Sequence, residues 1–131
     1  MPLVRISLRE GKSASYRAAL GEGIHQAMVE TINVPADDRF QTFTEHSSGR
    51  LVYAKKYLGI EHSDDILFVQ ITLNAGRTLD QKRALYRALA ENLSRNPGLR
   101  KEDLLVSLVE VPKENWSFGN GEMSYPPEPK P

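Results

Sequence analysis

The chain has 131 residues, enough for one domain with a real hydrophobic core. Its 17 basic and 17 acidic residues cancel, so no net field draws it to nucleic acid, a membrane surface or an acidic partner. The lack of cysteine removes disulfides, thiolate metal sites and cysteine nucleophiles together.

The opening MPLVRISLRE alternates too soon and carries charge too early for a signal peptide. No apolar run approaches the roughly 20 residues of a membrane helix, so a cytoplasmic protein without a membrane partner is expected. Val4, Ile6 and Leu8 alternate with Leu3, Arg5 and Ser7, which predicts a strand with one buried face. Glu10 and Gly11 break it, and Ser13 caps a helix whose stripe is Leu20, Ile24, Ala27, Met28 and Ile32. Asn33 and Pro35 end that helix. Arg39 to His46, rich in β-branched and aromatic residues, predicts a second strand.

The pattern then repeats. Ile66 to Leu73 predicts a strand, Gly76 a break, Thr78 a cap, and Leu85, Leu89 and Leu93 a helical stripe. Pro97 and Gly98 stop that helix, and Leu104 to Val109 predicts a last strand. An offset of 65 positions superposes the halves without a gap: Val4 on Val69, Ile6 on Ile71, Leu8 on Leu73, Gly11 on Gly76, Asp38 on Asp103 and Glu45 on Glu110. Register kept from strand to strand indicates a duplicated β-α-β unit, each with parallel strands joined by a right-handed helical crossover. The expected fold is α+β, a four-stranded mixed sheet with two helices on one face. A single domain over 1–131 divides into a first unit (1–46), a connection (47–65), a second unit (66–111) and a hairpin and tail (112–131). The connection is polar, with a short strand expected near Leu51. Trp116 to Met123 has glycines suited to a tight hairpin, and the proline-rich tail from Tyr125 reads as extended or frayed. The bare opposite face of the sheet calls for self-association.

Chemistry centres on position 2. A small residue there normally permits removal of the initiator methionine, which would leave Pro2 as a secondary amine. An apolar pocket or nearby cations would lower its pKa from the ordinary α-amino range. Such an amine can serve as a base, as an acid if its pKa stays high, or as a partner in an iminium. His25, His46 and His62 are scattered without the spacing of a metal cluster, so no metal is expected.

A proline opening a strand, a G-[KR]-[ST] turn opening each helix and two fused β-α-β units together resemble the tautomerase superfamily. HQAMVE at 25–30, VPADDRFQTFTEH at 34–46, GRTLDQK at 76–82 and WSFGNG at 116–121 look most like malonate semialdehyde decarboxylase and its relatives. The resemblance implies a cofactor-free enzyme acting on a small oxo acid, with Pro2 as the catalytic amine. Arg77 then matches the arginine that holds the substrate carboxylate or polarises its carbonyl, and Asp38 the aspartate that positions or activates water. Trp116 and Phe118 match aromatic positions that wall the pocket. In isolation these are ordinary residues: a turn arginine, a turn aspartate and core or interface aromatics. His25 reads as structural. Lys12, the first-half counterpart of Arg77, either adds a positive charge near Pro2 or faces water.

The sequence departs from the decarboxylase pattern at Ala75, where that subgroup carries another arginine. Asn74 likewise stands where a related dehalogenase has one, which disfavours dehalogenation. Leu67 falls where Pro2 would repeat, so one site per chain is expected. Decarboxylation of malonate semialdehyde leads; keto–enol tautomerisation of a phenylpyruvate-type acid, with incidental hydratase activity, is the alternative. A non-enzymatic binding module is a weaker reading. An RNA-binding domain lacks the required basic face and paired strand aromatics. Fused members of the superfamily form trimers, so a homotrimer is expected.

Overall fold

A computed structural model describes residues 1–127. The elements in chain order are β1 (Leu3–Arg9), α1 (Ala14–Ile32), β2 (Gln41–His46), β3 (Lys56–Tyr57), β4 (Ile60–Glu61), β5 (Leu67–Asn74), α2 (Leu79–Arg95) and β6 (Leu104–Val111). Short 3-10 turns occupy Lys101–Asp103 and Lys113–Asn115. Each predicted strand of the two β-α-β units lies within two residues of its predicted bounds.

The duplication extends to side-chain geometry. Gly11 and Gly76 both take left-handed φ values, 110° and 121°, which only glycine adopts without strain. The Ser13 hydroxyl accepts from the Tyr16 N–H, and Thr78 accepts from Gln81 at the same offset. Both caps satisfy helix-end donors that would otherwise lack partners. Arg17 pairs with Glu45 at 2.6 Å, and Lys82 pairs with Glu110, each bond tying helix to strand at equivalent places.

The strand order is β2-β1-β5-β6, parallel within each unit and antiparallel at the central β1–β5 seam. Val4, Ile6 and Leu8 join Val69, Ile71 and Leu73 on the covered face, packed against Leu20, Ile24 and Met28 of α1 and Leu85, Leu89 and Leu93 of α2. The helices approach closely at Gly23, where an added Cβ would come within 2.9 Å of Leu93 Cδ2. The opposite face stays bare. It carries Leu3, Leu105 and Val109, all exposed, beside a shallow groove of about 400 Å³ lined by residues including Arg5, Thr44, His46, Gln70 and Ser107.

Two expectations are corrected. Leu51 lies in a bend; the connection instead pairs Lys56–Tyr57 with Ile60–Glu61. Leu58 and Gly59, at φ 51° and 78°, make its two-residue turn. Leu-Gly is not the usual asparagine- or aspartate-led signal for that geometry, which concealed the hairpin. Residues 116–123 do not form a strand hairpin. The loop closes on itself, with Ser124 N–H donating to the Trp116 carbonyl at 3.1 Å, but Gly119, Asn120 and Gly121 all take positive φ. Three such residues in succession turn the chain without leaving extended backbone for a ladder. Of the proline-rich tail, Tyr125–Pro127 lie in neither helix nor strand, and 128–131 fall outside the described residues. No helix among the described residues is long and apolar enough to cross a membrane.

Candidate active site

The antiparallel seam decides what meets the start of the chain. Leu3 pairs with Thr72, so the end of β5 and the turn after it lie beside Pro2, which is buried. Val4 N–H donates to the Phe40 carbonyl at 3.0 Å, which draws the turn before β2 to the same place. Asp38 and Arg77, separated widely in sequence, thereby flank one corner.

Asp38 is held by its own N–H, which donates to the Pro35 carbonyl at 3.0 Å. The residue is 6 % exposed, yet neither carboxylate oxygen has a hydrogen-bond partner among the described residues. Among the described residues, the Met1 amino group is the cation within ion-pair distance, 3.8 Å from Oδ2. The duplicated counterpart is satisfied: Asp103, fully buried, accepts from the Ser63 N–H at 2.7 Å and from its hydroxyl at 2.5 Å. Buried carboxylates are ordinarily bonded in this way. One position in two copies of a unit is thus a completed structural bond in one and an open acceptor in the other.

Arg77 is anchored. One terminal nitrogen donates to the Asn74 carbonyl at 2.9 Å and the other to the Ile32 carbonyl at 3.3 Å, fixing the guanidinium plane while leaving three N–H donors. Lys12 has a different fate. It pairs with Asp65 at 2.8 Å and lies 4.9 Å from the centre of the Tyr16 ring, at the end of β1 remote from Pro2. His25 is buried on α1, its Nε2 within 2.9 Å of the Ala36 carbonyl, bracing the turn that carries Asp38.

Burial pushes the Met1 amine below its ordinary pKa; Asp38 opposes this, while the positive fields of Arg77 and Lys113 add to it. Burial raises the Asp38 carboxyl, helped by Asp37, with the Met1 amine and His25 pulling it back. The corner therefore disfavours charge on both groups.

Trp116 and Phe118 stand on one flank. They stack at 5.1 Å between ring centres, Phe40 lies 5.9 Å from Phe118, and Tyr125 meets Phe118 edge-on at 6.0 Å. Trp116 Nε1–H donates to Asn74 Oδ1 at 2.7 Å, locking the indole to the end of β5. Leu3, Phe40, Trp116, Ser117 and Phe118 line an apolar hollow of about 280 Å³. Arg77 lines a separate polar cavity of about 380 Å³ with Asn74, Gln81 and Lys113. Phe40, Tyr125 and Lys113 join these surroundings without a sequence signal of their own. Lys113 has no periodic or motif signal, since only the end of β6 carries it to Arg77.

Two family models described as tautomerase enzyme match residues 38–119 and 2–60. The chain belongs to the tautomerase superfamily. This tautomerase-superfamily chain is 42 % identical over 121 residues to the probable tautomerase YusQ of Bacillus subtilis (strain 168), covering 92 % of the chain and 95 % of the relative. The probable tautomerase YrdN of the same organism is 34 % identical over 125 residues, covering 95 % and 96 %. Among solved structures, a malonate semialdehyde decarboxylase inhibited by 3-bromopropiolate superposes with a TM-score of 0.88 at 32 % identity, covering 94 % of this chain and 93 % of that one. A fused 4-OT symmetric trimer gives 0.77 at 25 %, covering 93 % and 95 %. Superfamily members of this kind are isomerases and lyases, and the chain is an enzyme of that class.

The contrast between the two buried aspartates yields a test. Asp38→Asn is expected to raise the melting temperature at neutral pH, because it removes a carboxylate that burial penalises. With its folded pKa raised, Asp38 adds stability below its unfolded pKa, and that contribution is lost as pH rises through the folded value. The stabilisation by Asp38→Asn should therefore fade in acid. Asp103→Ala should instead destabilise the fold by about 1–3 kcal/mol, because it removes the acceptor of both partly buried Ser63 donors. Thermal melts of both variants from pH 4 to 8 check this; equal losses would contradict it.

Proposed function

We propose that the chain is a cofactor-free enzyme of small oxo acids, with Pro2, freed by removal of Met1, as the catalytic amine. The observation behind this reading is the convergence of the start of β1 with Arg77 and an unsatisfied Asp38 in a corner that lowers the proton affinity of an amine. The Pro2 nitrogen, next along the chain, would meet the same burial and the same positive fields, which act to lower an amine's pKa.

A neutral amine favours proton transfer. Arg77 would hold the carboxylate of an enol acid through its free donors. Pro2 would accept the proton leaving the enol hydroxyl and return it to the adjacent carbon as the double bond shifts to C=O. Asp38 would steady the transient ammonium or a water beside it. The hollow formed by Leu3, Phe40, Trp116 and Phe118 would accept an aryl group, which fits a phenylpyruvate-type substrate.

Decarboxylation of malonate semialdehyde is the second reading, favoured by the likeness to two solved decarboxylases over more than nine-tenths of each chain. There protonated Pro2 and Arg77 would polarise the 3-carbonyl, or Pro2 would form an iminium. The β-carboxylate would leave as carbon dioxide while its electron pair enters the carbonyl or iminium system. Incidental hydration of an acetylenic acid is compatible with the same groups.

Parallel assays with phenylpyruvate enol and malonate semialdehyde across pH 5–9 separate the two. Base catalysis predicts a rate that rises with pH through the amine pKa, and acid catalysis a rate that falls. Absence of both activities would reject the proposal.

We further propose a homotrimer that buries the bare sheet face. Sedimentation should give three times the 14.7 kDa chain mass; a monomer at micromolar concentration would contradict it.

A further inference from the structure

We propose that Lys113 is a second substrate-binding cation, which with Arg77 grips a short acid bearing two oxygen-centred groups, a carboxylate and either a carbonyl or a second carboxylate. This rests on the function proposed above and names the substrate class of that site.

The cavity at the end of β5 is lined by Ile32, Asn33, Asn74, Ala75, Gly76, Arg77, Gln81 and Lys113. Two of these are cations and none is an acid, so the hollow is positive within a chain whose formal charge is zero. Fields of one sign in a concave wall favour the opposite charge. No carboxylate among the described residues lies within ion-pair distance of Lys113. By contrast Lys12 and Lys82, near the turns that open the two helices, are both paired.

Backbone register places Lys113 there. Asn74 is opposite Val111, and Ala75 N–H donates to the Val111 carbonyl at 3.0 Å. Pro112 then ends the strand, and Lys113 begins the following 3-10 turn beside the Gly76–Arg77 corner. Ala75 between them contributes only a methyl group, which keeps the cavity open. Arg77, pinned by two carbonyls, is a fixed fork, whereas Lys113 is a mobile point charge on a flexible stem. One guanidinium cannot readily meet two separated oxygens; a fork and a neighbouring ammonium can. Both cations also act on the Met1 amine, so the grip lies within reach of the nitrogen proposed to react.

Malonate and acetate, two non-reacting probes, test the grip by titration calorimetry. Wild type should bind malonate. Lys113→Ala should weaken malonate about tenfold, the worth of a charge-assisted contact, while altering acetate less than threefold. Lys113→Arg should restore most of the malonate affinity. Lys56→Ala, the same charge change on the β3–β4 hairpin, should leave it unaltered. No malonate binding by wild type, an unchanged malonate affinity in Lys113→Ala, or equal losses for both probes would overturn the assignment. Pro2→Ala separates it from the catalytic reading: full activity there with the malonate pattern intact rejects the amine and keeps the grip. Lost activity there with malonate indifferent to Lys113→Ala does the reverse.

Discussion

Pro2→Ala is expected to lower kcat on the better substrate of the panel by about 10²–10⁴-fold, the span of a removed general acid or base, with little change in melting temperature. Alanine at position 2 also permits removal of Met1, so the variant keeps a terminal amine and the comparison isolates the ring. A pyrrolidine nitrogen is fixed relative to the backbone, because the ring locks φ. The alanine amine swings about an unrestrained bond and loses its alignment with the reacting carbon. Misplacement of about 1 Å is enough for a hundredfold loss. The mass of the intact wild-type protein should lack methionine, and any fraction that retains it should be inactive, its proline nitrogen being an amide. Unimpaired turnover by Pro2→Ala would remove the amine from the mechanism.

Arg77→Ala is expected to reduce kcat/KM by about 10²–10³-fold, in line with about 3–4 kcal/mol for a charged contact strengthened in the transition state. How the loss divides is informative. A pure carboxylate anchor shows as a raised KM at steady kcat, while polarisation of a developing oxyanion shows in kcat. Arg77→Lys should recover only part of the activity, because an ammonium cannot bond the Asn74 and Ile32 carbonyls and still present a planar fork. Those carbonyls also make the residue a minor brace, so Arg77→Ala should soften the fold by about 1 kcal/mol. Activity must therefore be measured well below the melting temperature. Retention of kcat/KM within threefold would dismiss Arg77 from the site.

The fold was legible because its signals are local and occur twice. Gly11 and Gly76, Ser13 and Thr78, and the strand alternations each announce themselves within a few residues, and the shared offset ties them together. What stayed hidden depends on the seam between the halves. Lys12 and Arg77 are equivalent in sequence, yet Lys12 lies at the end of β1 remote from Pro2 and is neutralised by Asp65. Asp38 and Asp103 are equally matched, yet Asp103 is completed by Ser63 and Arg100 while Asp38 has no bonded partner among the described residues. Phe40 and Tyr125 join the aromatic cluster through tertiary packing, which no spacing rule encodes. Leu58–Gly59 turns a hairpin without the residues that usually advertise one. Pro2, Arg77 and Asp38 meet at one corner because the antiparallel seam brings the start of β1 to the end of β5.

The pseudo-symmetry of the two β-α-β units has a further consequence at Leu67. Its nitrogen belongs to a peptide bond inside β5 and its side chain is buried, so the position related to Pro2 offers an amide and no amine. A substrate-like electrophile that labels the Pro2 nitrogen should leave the peptide holding Leu67 unmodified, as peptide mapping would check. If Pro2 is the catalytic amine, drift at the silent corner answers to packing and ion pairing, whereas drift at the other must also preserve chemistry. One ancestral shape thus carries two unequal evolutionary burdens.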